Sequence, residues 1–174
     1  MGCRINPASL VVRRSCYEAA GPFNEQRLWG IDWDMWLKVA AISGVAYSPR
    51  ASSRYRIHGA SGSSTGLFGP RYLNEDFEVL SAALERLDQD PGLASLRPLR
   101  RQALRSYSLR ALHAAGVSCE AGQRKGTLRA IGEALRCTPT LATRPTVWAL
   151  TAGALVGPWC YRAWSRLHPQ RPAS

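Results

Sequence analysis

The sequence predicts a mixed α/β segment over residues 1–68, followed by an all-helical, strongly basic remainder. Two observations carry this reading. Short β-branched and apolar runs at 9–12, 45–47 and 52–57 interrupt helical spacing in the first part, whereas from residue 69 onward the apolar positions keep a helical period. The charge is also divided. Residues 1–96 hold ten basic and ten acidic side chains, while 97–174 hold thirteen basic ones against Glu120 and Glu133, so the whole net charge of +11 falls in the second part. With 45% hydrophobic and 20% charged residues, 174 residues can bury a core, which excludes wholesale disorder.

Taken in order, Ser9-Leu10-Val11-Val12 reads as a strand ending at Arg13-Arg14. Ser15 and Glu18 have the spacing of a capping box for a short helix that stops at Gly21-Pro22. A second helix starts near Asp32, places Trp33, Trp36, Leu37, Ala40 and Ala41 on one face, and ends at Gly44. Val45-Ala46-Tyr47 and residues 52–57 read as two brief strands separated by Pro49, and the Gly/Ser/Thr-rich stretch 59–66 as a mobile loop. Asn74 has the chemistry of an N-cap, with Glu75 and Asp76 set against the helix dipole and Phe77, Leu80, Leu84 and Leu87 as a buried stripe before Pro91-Gly92. Two further helices are predicted over 96–116 and 123–137. Ala111, Ala114, Ala115, Ala130 and Ala134 are their close-contact positions, and Pro139 stops the second. No repeat of fixed period supports a helical-repeat array.

The five cysteines are odd in number, widely spaced and without a C-x-x-C pair, which argues against a disulfide framework or a zinc site and for a reducing, cytoplasmic setting. Met1-Gly2-Cys3 does not open a myristoylation motif, because position six is Asn6. The last segment, 141–174, contains an uncharged stretch over 145–161, flanked by Arg144 and Arg162. As one helix it would span about 26 Å at ~1.5 Å per residue, the short limit for a membrane span. Trp148, Trp159, Tyr161 and Trp164 are interfacial aromatics, so a segment lying at an anionic membrane surface is one reading and a terminal helix packed on the preceding bundle is the other.

Three motifs stand in order in the first part: Gly21-Pro22-Phe23-Asn24-Glu25, then Ile31-Asp32-Trp33-Asp34-Met35-Trp36-Leu37-Lys38, then Tyr55-Arg56-Ile57-His58-Gly59-Ala60-Ser61. Their order and spacing over roughly residues 5–65 resemble the acceptor side of family-2 glycosyltransferases of the GT-A fold. That family has a G-G-F-D-E-like turn, an E-D-W-D-L-W-L-R-like helix start and a Y-R-x-H segment. The resemblance implies an α/β class, as the C-terminal half of a GT-A nucleotide-sugar transferase domain over 1–68, followed by a helical appendage over 69–140 and the aromatic, basic segment 141–174.

The resemblance also implies roles. Asp32 matches the general base that takes the proton from an acceptor hydroxyl, and a carboxylate at a helix N-terminus suits that task. Without the flanking motifs it would read as an N-cap. Asp34 matches a second acidic position, structural or acceptor-orienting, and Arg56 and His58 match the pair that approaches the donor diphosphate; Trp33 and Trp36 read as core residues, with one tryptophan face able to stack on a sugar ring. The implied reaction is inverting transfer from a nucleotide-sugar donor to a hydroxyl acceptor, lipid-linked or polymeric, in polysaccharide or glycolipid synthesis. A divalent metal, Mg or Mn, is implied for a complete enzyme. Ile31, Pro22, Asn24 and Lys38 depart from the family pattern. Asp32-Trp33-Asp34 is literally a D-x-D, but it opens a helix where the family's metal motif follows a buried strand, so it reads as the base motif and no metal ligand is assigned. A nucleotide-binding half is expected outside these residues, and the isolated chain is expected not to turn over sugar nucleotides.

Two other classes compete with sugar transfer. One is a non-catalytic scaffold that keeps the acceptor half. The other is a basic helical nucleic-acid-binding module using Arg97, Arg100, Arg101, Arg105, Arg124, Lys125 and Arg129. It is disfavoured because no nucleic-acid-binding motif accompanies the charge.

Overall fold

A computed structural model describes residues 5, 7–51, 53–54 and 70–168. Among these the regular structure is helical throughout, with no strand. This corrects the α/β expectation and with it the GT-A assignment of residues 1–68. Residues 7–9 form a 3-10 turn, Leu10 to Arg13 have no regular structure, and Val11 is 99% exposed. Val45 and Tyr47 are likewise irregular and exposed. A β-branched run becomes a strand only when a neighbour completes its hydrogen-bond ladder, and none is present among the described residues. The third expected strand and the loop after it lie largely outside them.

The chain divides into two compact units, one formed by described residues within Gly2–Leu67 and Asn74–Arg101, the other by those within Phe68–Leu73 and Gln102–Ser174. In the first, α1 spans Arg14–Ala20, α2 spans Ile31–Ile42, and α3 is the part of helix Pro70–Gln89 from Asn74 onward. Because α1 begins at Arg14, Ser15 lies inside it. Glu18 pairs with Arg14 one turn back (2.9 Å) and does not close a capping box. Gly21 ends the helix at φ 81, a conformation that favours glycine, and its N–H donates to the Tyr17 carbonyl. Helix α2 buries Met35 and Val39, while Val79, Leu80, Leu84 and Leu87 are buried along α3. Pro70 opens the third helix, as its fixed φ and missing N–H permit, so Asn74 is an interior residue and not its N-cap. After Gln89 the chain tightens into a 3-10 stretch, Pro91–Leu99, with the Asp90 carboxylate accepting from the Gly92 N–H at 2.8 Å. Arg97 then donates to the Leu87 and Asp88 carbonyls, and Arg100 to the Asp88 carboxylate at 2.6 Å. Two arginines considered for a phosphate-binding face are thus occupied with the C-terminal end of α3.

The second unit contains α4 (Arg100–Glu120, from Gln102 onward), α5 (Arg124–Cys137), a 3-10 turn at Pro139–Thr143, α6 (Pro145–Val156) and α7 (Pro158–Leu167). The five alanines expected at helix contacts are all buried. Between α4 and α5 the Gly122 N–H reaches the Cys119 carbonyl and the Gln123 N–H the Ser118 carbonyl. This is a Schellman ending, with Gly122 at φ 71. Tyr107 is fully buried and donates its hydroxyl to the Leu73 carbonyl at 3.2 Å. The uncharged stretch 145–161 is not one helix, because Gly157 at φ 144 and Pro158 break it. Helix α7 packs back on α6 and α4 through Tyr161. A β-carbon at Gly116 would lie 2.8 Å from the Tyr161 hydroxyl oxygen, and one at Gly153 would lie 2.9 Å from Tyr161 Cβ and 2.6 Å from Cys119 Sγ. The two glycines therefore make the seat for this side chain. No helix among the described residues is long and apolar enough to cross a membrane.

Candidate active site

The candidate site is the N-terminal turn of α2, and the segment before it is built to hold that turn still. The Asn24 side chain accepts from the Gln26 N–H and its carbonyl from the Arg27 N–H, which turns the chain. Phe23 lies edge-on to Trp36, with ring centroids 6.3 Å apart, and next to Tyr17, so the glycine-proline turn is anchored on both α1 and α2. Arg27 then reaches Glu78 at 3.1 Å.

The decisive group is Glu75 of α3. One carboxylate oxygen, Oε2, accepts from the backbone N–H groups of Leu28 (2.8 Å), Trp29 (2.7 Å) and Gly30 (3.3 Å). Gly30, the N-cap residue of α2, has no side chain to supply a cap, so an acid 45 residues away braces the backbone that leads into the helix. Gly30 is buried, and a β-carbon there would meet Val79 Cγ2 at 3.0 Å. Sequence reasoning assigned Glu75 to the dipole of its own helix and passed over Gly30. Nothing local marks either role.

The two aspartates then diverge. Asp32 is half-buried. Its Oδ1 accepts from the Trp33 N–H at 2.7 Å, and Oδ2 has no hydrogen-bond partner among the described residues. Asp34 is buried and forms an ion pair with Lys38 at 2.7 Å. Residues two apart on a helix point to different faces, so the literal D-x-D does not converge as a clamp. Among the described residues no group of three His, Cys, Asp or Glu side chains could hold a metal ion. These residues therefore do not fit the divalent metal implied for a complete transferase.

On the face of Asp32, one turn later, stands Trp36. Its indole N–H is buried and has no hydrogen-bond partner among the described residues. Trp36 reads as a core residue from the sequence, and its enclosed nitrogen and its contact with Phe23 agree. Trp33 is half-buried at the same turn. Arg56 and His58 lie outside the described residues.

No family model, curated protein or solved structure matches this chain.

Proposed function

We propose that this chain carries the acceptor side of an inverting glycosyltransferase, with Asp32 as the general base. The observation that supports this most is the contrast between the two aspartates. Asp34 is committed to Lys38, while Asp32 keeps one oxygen available at a braced helix N-terminus. In the proposed reaction Asp32 Oδ2 accepts the proton of an acceptor hydroxyl. The hydroxyl oxygen bonds to the anomeric carbon from the side opposite the leaving group, and the nucleoside diphosphate departs with the electrons of the broken bond. Asp32 stands in the first turn of α2, just after the backbone that Glu75 braces. Arg56 and His58 are proposed for the donor diphosphate on the motif resemblance alone, with polysaccharide or glycolipid as the product class and Mg or Mn held by residues outside this set.

The test uses the genomic reading frame that contains this chain, at its full length. Release of nucleoside diphosphate from sugar-nucleotide donors is measured with and without acceptor. Asp32→Asn is expected to lower the acceptor-dependent rate by about a hundredfold or more, and Asp34→Asn by much less. Undiminished transfer by Asp32→Asn would overturn the assignment.

A further inference from the structure

The broken helical pair at the end of the second unit leaves an apolar corner that the packing does not use. Helix α6 buries Val147, Leu150, Gly153 and Ala154, which leaves Trp148, Leu155 and Val156 outward at 67%, 55% and 66% exposure. Trp148 and Leu155 are two turns apart and share a face. At the break, the Trp159 ring lies over Gly157, with Cδ1 3.0 Å from where a β-carbon would be. This continues the corner from Val156 onto α7, and Trp159 itself is 65% exposed. From Trp159 the exposed face of α7 carries Arg162, Ala163 and Arg166 at helical spacing.

The charge around this corner is predominantly positive, with Glu120 as the acid beside Arg162. No Asp or Glu follows Glu133 in the sequence, and Arg144, Arg162 and Arg166 are exposed and make no ion pair among the described residues. Arg162 donates only to the Glu120 backbone carbonyl, which orients the guanidinium without neutralising it. Two exposed tryptophans and two exposed aliphatic side chains, with Arg144 one turn before Trp148 and Arg162 and Arg166 following Trp159, match the two layers of an anionic bilayer surface, where indoles sit at headgroup depth and cations meet lipid phosphates. The segment is too short and too broken to cross a bilayer, so it fits lying on one.

We infer that the α6–α7 corner, Trp148, Leu155, Val156 and Trp159 with Arg144, Arg162 and Arg166, is a docking surface for an anionic lipid bilayer. This inference is independent of the sugar-transfer proposal. It rests on other residues and is read without any activity.

The test is vesicle flotation of the whole chain. One vesicle set is phosphatidylcholine alone and the other is phosphatidylcholine mixed with phosphatidylglycerol. The chain is expected to float with the anionic vesicles only and to be released as salt is raised. Arg162→Gln with Arg166→Gln should weaken partitioning by about fivefold for each arginine neutralised. Trp148→Ser with Trp159→Ser should weaken it on the same vesicles. Arg105→Gln, an exposed cation near the other end of α4 from Glu120, should leave it unchanged. All these positions are exposed, and unaltered helical circular dichroism confirms that each variant is folded. Equal uptake by neutral and anionic vesicles overturns the proposal, as does an equal loss in the Arg105 variant. Binding that needs the arginines but ignores both tryptophans would reassign this face to a soluble polyanion such as nucleic acid, and also overturns it.

Discussion

The two units are held by different chemistry. In the first, the joint that matters is polar and long-range, because a single oxygen of Glu75 gathers three backbone N–H groups in the approach to α2. In the second, the joints are steric. Alanines and glycines let backbones and one tyrosine come close, and Tyr161 occupies room that exists only because Gly116 and Gly153 have no side chains. A charged brace fixes the direction of one short backbone segment, which is what the proposed base on the next residues needs. Small-residue packing fixes whole helices, which suits a platform.

The largest effect expected from breaking that contrast is at Glu75. Glu75→Ala removes the acceptor of three N–H groups, one of them buried, and is expected to cost about 3 kcal/mol in urea unfolding, with Glu75→Gln recovering part of it. A loss below the surface-substitution range would show that the brace is dispensable. The matching change in the second unit is Gly153→Ala. Its new β-carbon must displace Cys119 or Tyr161, at an expected cost of about 2 kcal/mol, and a thermal melt reads it directly.

The smallest effect is a pH dependence confined to the same seat. Burial first, and then the Glu120 charge, push both the Cys119 thiol and the Tyr161 phenol above their ordinary values of 9.0 and 10.0. The folded state therefore holds these protons after the unfolded chain has released them. Stability from this pair is complete below the ordinary thiol value and declines as pH rises through and beyond it. Cys119→Ala is expected to flatten the alkaline limb of melting temperature against pH. An identical limb in that variant would place the titration elsewhere.

Much of the helical content was legible because its signals are local. The periodic apolar positions of α3, the alanine contacts of α4 and α5 and the glycine ending at Gly21 each act within a turn or two of themselves, whereas on α2 the expected face of Trp33, Trp36, Leu37, Ala40 and Ala41 is not the buried one, which is Met35 and Val39. Asp32 was legible as the first-turn acid of an amphipathic helix, and Asp34 beside it was not separable from it.

What tertiary structure alone decided lies at longer range. Whether 9–12 and 45–47 become strands depends on a partner ladder, not on their own β-branching, and among the described residues they have none. Asp34 and Asp32 are distinguished by burial and by Lys38. Glu75, in the interior of one helix, acts on the turn before another, and Arg97 and Arg100 fold back onto α3 in place of forming a phosphate-binding face. The net charge and the helical periods belong to the sequence because they are sums and spacings along the chain. Which carboxylate is occupied and which remains available belongs to the fold, because that depends on neighbours the chain brings back from tens of residues away.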